Sequence, residues 1–464
     1  MKVAFVSLNQ EKLPDPVIPL GLLYVMANLP ERHPSELWDL CFEEDPLGYL
    51  KRQVETFRPE ILALGMRNIQ NNDYSDYRTN IEKYKKIIDF LRSISSAPIV
   101  LGGGGFSVMP RELMASLRPD FGVSGEGESA FHQLVEVFES GGSDFSQIGN
   151  LLYFQEGKLT MNPQVSGFID LPRLHSPSRD RVDERYYAQI GIDAVQTKRG
   201  CPLKCTYCTY PTIEGKTKRL REPEQVVAEM LEAVRTHPTI NHFFIVDSVF
   251  NLPKTHAKEV CKVLIDQGWS IPWTCYVNPL GFDEELADLM RMAGSAGMEI
   301  GSDSGLDHVL ANLKKGFTTE KIRALSQIAK KAGLRDCHTF ILGTPGETLD
   351  DVHRTLDFIV DLDPFAAILG IWADDYEALD SNLALERQKF RDQVKAIVWE
   401  KKDIYPRWSV PSLGYNFNVR FFNILRKRGL QGPLWQHVRL MPAGVPSSVG
   451  RAPGDVPTKI WTGI

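Results

Sequence analysis

Between Val3 and Ile371 the chain twice sets up the same rhythm, a short apolar run followed by a segment with apolar residues at helical spacing. Few folds accept such a rhythm, because neighbouring parallel strands need a crossover between them and a helix is the usual one. In the first round Val3 to Ser7, Glu36 to Leu40, Ile61 to Met66, Ile99 to Gly102 and Phe121 to Ser124 read as buried strands. They predict an α/β, Rossmann-like, doubly wound parallel sheet over residues 1–140, with ligands beyond the carboxyl ends of its strands. In the second round the runs are Ala194 to Lys198, Phe243 to Asp247, Ser270 to Tyr276, Met298 to Gly301, Cys337 to Leu342 and Ala366 to Ile371. These predict a partial (βα)6 barrel over residues 191–371, short of the eight units of a closed barrel.

Residues 141–190 read as a connector with a small hairpin near Leu151 to Lys158, then Pro172, Pro177 and a charged run from Arg179 to Arg185. Residues 372–464 lose the rhythm and predict a small, mostly helical cap, with helices at Leu385 to Trp399 and Val419 to Arg428. Aromatic residues collect there, as the core of the cap or as the wall of a substrate pocket. Trp372, Asp374, Tyr376, Trp408 and Tyr415 are the pocket candidates.

Three cysteines, Cys201, Cys205 and Cys208, stand in C-x3-C-x2-C spacing in the loop after the second series' first strand. Thiolates this close in sequence can converge on one soft metal centre, and three of them leave a four-iron cluster one ligand short. A structural zinc site usually needs a fourth Cys or His, and from Pro202 to Lys216 only Cys205 and Cys208 are of either type. The other cysteines, Cys41, Cys261, Cys275 and Cys337, are isolated and form no disulfide framework, which places the chain in a reducing cytoplasm.

The first series is unusual at its strand ends: Arg67-Asn68 after the third, Gly102-Gly103-Gly104-Gly105-Phe106 after the fourth, Gly125-Glu126 after the fifth. Successive glycines allow close approach of backbone to a ligand, whereas a tight turn alone would need only one or two. Their spacing is not the G-x-G-x-x-G of a dinucleotide site. A net charge of −6 without a basic block argues against nucleic-acid or membrane-surface binding, and no stretch reaches the roughly 18 apolar residues of a membrane span.

Cys201, Cys205, Tyr207 and Cys208 resemble the C-x3-C-x-aromatic-C motif of the radical S-adenosylmethionine enzymes, in particular the subgroup with an N-terminal cobalamin-binding domain. Gly301-Ser302-Asp303-Ser304-Gly305 is similar to that family's fourth-strand G-x-E-S-G, with Asp for Glu, and Ile341 to Thr348 is similar to its fifth-strand segment. The resemblance implies a [4Fe-4S] cluster on the three cysteines and S-adenosylmethionine near Tyr207, Asp247, Gly301, Asp303, Ser304 and Ile341. It also implies cobalamin bordered by Pro19, Leu20 and Gly21, with Arg67 or Asn68 on its lower side. The nucleotide tail would lie along Gly102, Gly103, Gly104, Gly105 and Phe106, next to Gly125 and Glu126. The stretch Asn9 to Gly21 lacks the His that many such domains place under cobalt. The implied activity is methylation of an unactivated carbon, or phosphorus, of a small-molecule biosynthetic precursor through a 5′-deoxyadenosyl radical and methylcobalamin. Cyclisation, ring contraction or another rearrangement is the alternative. The implied partners are that substrate and a reductant such as flavodoxin or ferredoxin.

Overall fold

A computed structural model describes residues 1–12, 14–70, 79–163, 169–374, 379–405, 407–417 and 419–440. The first sheet contains β1 (Val3–Ser7), β2 (Ser35–Asp39), β3 (Ile61–Gly65), β4 (Ile99–Gly102), β5 (Phe121–Val123), β6 (Leu151–Gln155) and β7 (Lys158–Met161) in the order β2-β1-β3-β4-β5-β6-β7. The first five strands in sequence are parallel, and β6 and β7 join antiparallel at the β5 edge. The hairpin expected in the connector is therefore part of this sheet. Strand β1 shows why the sheet is wound on both faces: Ala4 and Val6 pack in one core, Val3 and Phe5 in another. The helix Ile81–Ile94 covers the first face with Tyr84, Ile87, Ile88 and Leu91, the spacing of one apolar stripe.

A two-stranded ribbon, β9 (Lys198–Arg199) with β10 (Arg219–Leu220), interrupts the start of the second sheet. That sheet runs in chain order from β8 (Ile192–Val195) through β11 (His242–Ile245), β12 (Trp273–Val277), β13 (Ser295–Asp303), β14 (Arg335–Leu342) and β15 (Ala366–Ile371) to β16 (Trp408–Ser409), all parallel. Helices return the chain between strands, and their starts are fixed locally. Asp283 accepts the Leu286 N–H, and Thr348 forms a reciprocal capping box with Asp351. The six expected strands are present, and β16, drawn from the tail, adds a short seventh at the open edge.

The two sheets share a core. Ile18, Leu23 and Cys41 from the first half pack into the cluster that holds Val226, Phe243 and Trp273 of the second. In the first sheet the strand order reverses around β1, so the loops after β1 and β3 flank the crevice where such sheets bind ligands. Among the described residues no helix is long and apolar enough to cross a membrane.

Candidate functional site

One cavity of about 1010 Å³ joins the two halves. From the first sheet it is lined by Pro14 to Ile18 after β1 and by Arg67 after β3, the two loops at the strand-order reversal. From the second sheet it takes Cys201, Cys205, Tyr207 and Cys208 after β9, and residues toward the carboxyl ends of the strands behind them, among them Val246, Tyr276, Glu299, Gly301, Thr339 and Ile341. The tail closes it with Phe421, Phe422, Leu434 and Trp435.

The cysteine loop is held from both ends. Gly200 has φ +90°, and a Cβ there would lie 2.0 Å from the Thr217 carbonyl oxygen, so only glycine fits before Cys201. The Thr206 N–H donates to the Leu313 carbonyl at 3.2 Å. Burial and the neighbouring thiols raise the pKa of Cys205 and Cys208, while the Lys315 ammonium works in the opposite direction. The three thiols thus line one stretch of the cavity wall. Among the described residues no three Cys, His, Asp or Glu side chains converge on a point for one ion. A four-iron cluster takes its thiolates at separate corners, so the donor set fits the cluster better than a single zinc.

Beside the cysteines Tyr207, Asp303 and Lys315 form a closed triangle. The Tyr207 hydroxyl donates to Asp303 Oδ2 at 2.6 Å, Lys315 Nζ pairs with the same oxygen at 2.7 Å and donates to the hydroxyl at 3.1 Å. Burial raises the Asp303 carboxyl and Lys315 opposes it. Asp303 reaches this position through a register shift after Gly301 and a φ of +61°. Gly301 and Ile341 line the same stretch of cavity, leaving room against Lys315 for a polar ligand.

Several expected site residues are turned elsewhere. Asp247 is fully buried and saturated: it accepts from the Thr197 N–H and hydroxyl at 2.7 and 2.5 Å and from the Lys198 N–H and Nζ at 3.2 and 3.0 Å. Ser304 faces Thr355 in the core, hydroxyl to hydroxyl at 3.2 Å. In the first sheet Phe106 is a core side chain and Glu126 is claimed by Arg199 and Arg219. A Cβ at Gly103 would fall 2.6 Å from the Met66 carbonyl oxygen and one at Gly105 3.0 Å from that of Arg67, so these glycines serve close backbone packing. Gly104 and Gly125 rest on Ile213, and the Gly102 neighbour is Val123. The Asn68 carbonyl accepts from the Tyr84 hydroxyl at 2.9 Å. Pro19, Leu20 and Gly21 open the helix Leu20–Ala27, and the cavity border falls just before them, at Ile18.

The tail is corrected most. Trp408 is a 0% exposed core residue whose indole donates to the Lys402 carbonyl, and Tyr415 turns its hydroxyl to Asp403 at 3.2 Å. Trp372 and Asp374 bond to each other at 2.8 Å, and Asp374 pairs with Arg387. Neither lines the cavity, although the Trp372 ring sits edge-on to Tyr207 with centroids 6.3 Å apart. Tyr376 lies outside the described residues.

Residues 195–359 match the Radical SAM superfamily and residues 8–135 match the B12 binding domain. The chain belongs to the radical SAM superfamily, in the branch with a B12-binding domain. The cofactors of that branch are a [4Fe-4S] cluster, S-adenosylmethionine and cobalamin. A protein of Pyrococcus horikoshii described as an uncharacterized methyltransferase is 28% identical over 348 residues, covering 74% of this chain and 73% of its own. Tryptophan 2-C-methyltransferase of Streptomyces laurentii is 27% identical over 444 residues, covering 81% of this chain and 74% of its own. In fold the chain is similar to the radical S-adenosylmethionine methyltransferase TsrM from Kitasatospora setae, solved with cobalamin and a [4Fe-4S] cluster. The TM-score is 0.81 at 22% identity, over 94% of this chain and 97% of that one.

The residues present fit a corrin on the first sheet's side. Among the described residues that line the cavity none is a His, and of those contributed by the first sheet's loops Arg67 is the cation. Burial pulls its pKa below the ordinary value, yet a guanidinium stays protonated and offers no lone pair to a metal.

Two lining residues escaped sequence reasoning. One is Lys315, which pairs with Asp303. Glu299 was legible from alternation, since Glu299 and Gly301 share a face of β13. Burial pushes the Glu299 carboxyl from 4.5 up to about 7, opposed only by a hydrogen bond from the Trp435 indole. A raised carboxyl favours the protonated folded state, so its cost is absent below pH 4.5 and complete above about pH 7. Glu299→Gln, which keeps an oxygen for Trp435, should stabilise the ligand-free chain by up to about 3 kcal/mol at pH 8. At pH 5 the gain should shrink to under about 1 kcal/mol. Thermal unfolding of both proteins at the two pH values checks this, and a gain independent of pH would contradict it.

Proposed function

We propose that the chain is a cobalamin-dependent radical SAM methyltransferase acting on an unactivated carbon, or phosphorus, of a small-molecule biosynthetic precursor. The observation that carries this reading is that one cavity is lined both by the three-cysteine loop and by the β1 and β3 loops of the B12-binding domain. Cys201, Cys205 and Cys208 would hold the cluster. Tyr207, Gly301, Asp303 and Ile341 would border S-adenosylmethionine, and Arg67 would face the lower side of the corrin. When bound, the cluster with S-adenosylmethionine supplies hydrogen-atom abstraction and cobalamin supplies the methyl group.

The chain's own residues bind, orient and keep water out. Lys315 neutralises Asp303 and fixes the Tyr207 ring through its hydroxyl, so the aromatic edge presented to the cavity has one orientation. Arg67 would hold the corrin's lower side by charge and by excluding other ligands, since a guanidinium offers no lone pair to a metal. Phe421, Phe422 and Leu434 shut the tail side with apolar surface. We place the protein in the cytoplasm, served by flavodoxin or ferredoxin and without a nucleic-acid partner.

Incubating the reconstituted chain with methyl-labelled S-adenosylmethionine, hydroxocobalamin, a one-electron reductant and a candidate substrate should yield labelled product. 5′-Deoxyadenosine and S-adenosylhomocysteine should form together. Deoxyadenosine alone would turn the assignment to cyclisation or rearrangement, and neither product would end it.

A further inference from the structure

Glu299 lines the cavity without a counter-charge among the described residues, unlike four other carboxylates packed around the second sheet. Asp193 and Glu229 pair with Arg179, Asp247 with Lys198, and Asp303 with Lys315. Glu299 accepts one hydrogen bond, from Trp435 Nε1 at 2.9 Å, and among the described residues no Lys, Arg or His forms an ion pair with it. It is not hidden in the core, because it lines the cavity. With a rise of roughly 3.3 Å per residue, it lies roughly 7 Å below Gly301 on the regular part of β13, and both residues line the cavity.

Its surroundings are those of a binding pocket for an organic group. Tyr276 on the adjacent strand β12 and Phe244 on β11 beyond it have ring centroids 5.0 Å apart, edge to face, and both line the cavity. Ile368 and Trp435 complete an apolar wall. A buried charge without a counter-charge is costly, and holding one indole N–H would not require a charge at all. A neutral amide would serve Trp435 equally well.

We propose that Glu299 is the specificity residue of this cavity and takes the cationic nitrogen of the substrate, so that the substrate class is an amine or other protonated nitrogen base on an apolar or aromatic frame. The amine sits against Glu299, the frame lies along Phe244 and Tyr276, and the far end points up toward the cysteine loop. This rests on the reading above only in placing the substrate in this cavity.

The test uses the full chain, reconstituted with iron, sulfide and hydroxocobalamin, and a binding readout. The probes are 2-phenylethylamine, the neutral 3-phenylpropan-1-ol and the anionic 3-phenylpropanoate, titrated calorimetrically. The wild-type chain should bind the amine at least about tenfold more tightly than the alcohol and reject the anion. Glu299→Gln should weaken the amine at least about tenfold and leave the alcohol unchanged, with a thermal transition no lower than wild type. Equal binding of amine and alcohol, an amine affinity unaffected by Glu299→Gln, or no binding of the amine to wild type would each overturn the proposal. None of the probes needs to be methylated. A chain that transfers no methyl group would refute the methyltransferase reading and leave this result standing, and the converse holds.

Discussion

Replacing Cys205 by alanine is expected to give a folded chain that stays colourless when iron and sulfide are supplied and forms product only at background. Wild type under the same conditions should show a broad brown absorbance, with iron content near that of one four-iron cluster. The expectation rests on which thiols reach the cavity. Cys201, Cys205 and Cys208 line it, while Cys41, Cys261, Cys275 and Cys337 are buried in packed cores. Desolvation alone lifts the Cys261 thiol, the behaviour of an inert core residue. Cys261→Ala is therefore the control, keeping the colour and costing about 1 kcal/mol of packing. A colourless wild type that loads zinc, or a Cys205→Ala variant that keeps the brown absorbance, would remove the cluster and every role built on it.

Legibility in the sequence followed how locally each feature is encoded. Strand β1 is buried along its whole length, so its apolar run announced it without help from its neighbours. Strand β16 is two residues long and shows no period, so Trp408 looked like any other tail aromatic until pairing with β15 placed it in the core. The cysteine spacing is a local signal and survived intact. Asp247 has the right place at the end of a strand, but the direction of its side chain depends on N–H groups of Thr197 and Lys198, far away in sequence.

The glycines after β4 make the same point from the other side. Their clustering is visible in one line of sequence, and a ligand was the natural reason for it. The backbone that Gly103 and Gly105 actually approach is Met66 to Asn68, brought alongside by β3–β4 pairing. Asp303 depended on a register shift that no alternation predicts, whereas Glu299, on the regular part of the same strand, was readable and overlooked.

Arg179→Ala is expected to be the most destabilising single change outside the cavity, by about 3–5 kcal/mol, because it strips a buried network of its central cation. The Arg179 guanidinium pairs with Asp193 of β8 at 3.0 Å and with Glu229 at 2.9 Å, and donates to the Pro177 and Ala194 carbonyls at 2.7 and 2.9 Å. Glu229 keeps Arg221 at 2.8 Å and the Tyr24 hydroxyl at 3.0 Å, but Asp193 loses its only ion-pair partner among the described residues. Tyr24 belongs to the first half of the chain, so this network fastens the B12-binding domain and the connector to the second sheet. The first thermal transition should fall on the order of 10 °C. Adding Asp193→Asn should recover part of the loss, because the orphaned charge goes with its partner. If Arg179→Ala unfolds at the wild-type temperature, or the double variant is no better than the single, the network contributes packing rather than compensated charge. The docking of the two cavity walls would then have to be sought in the shared apolar core.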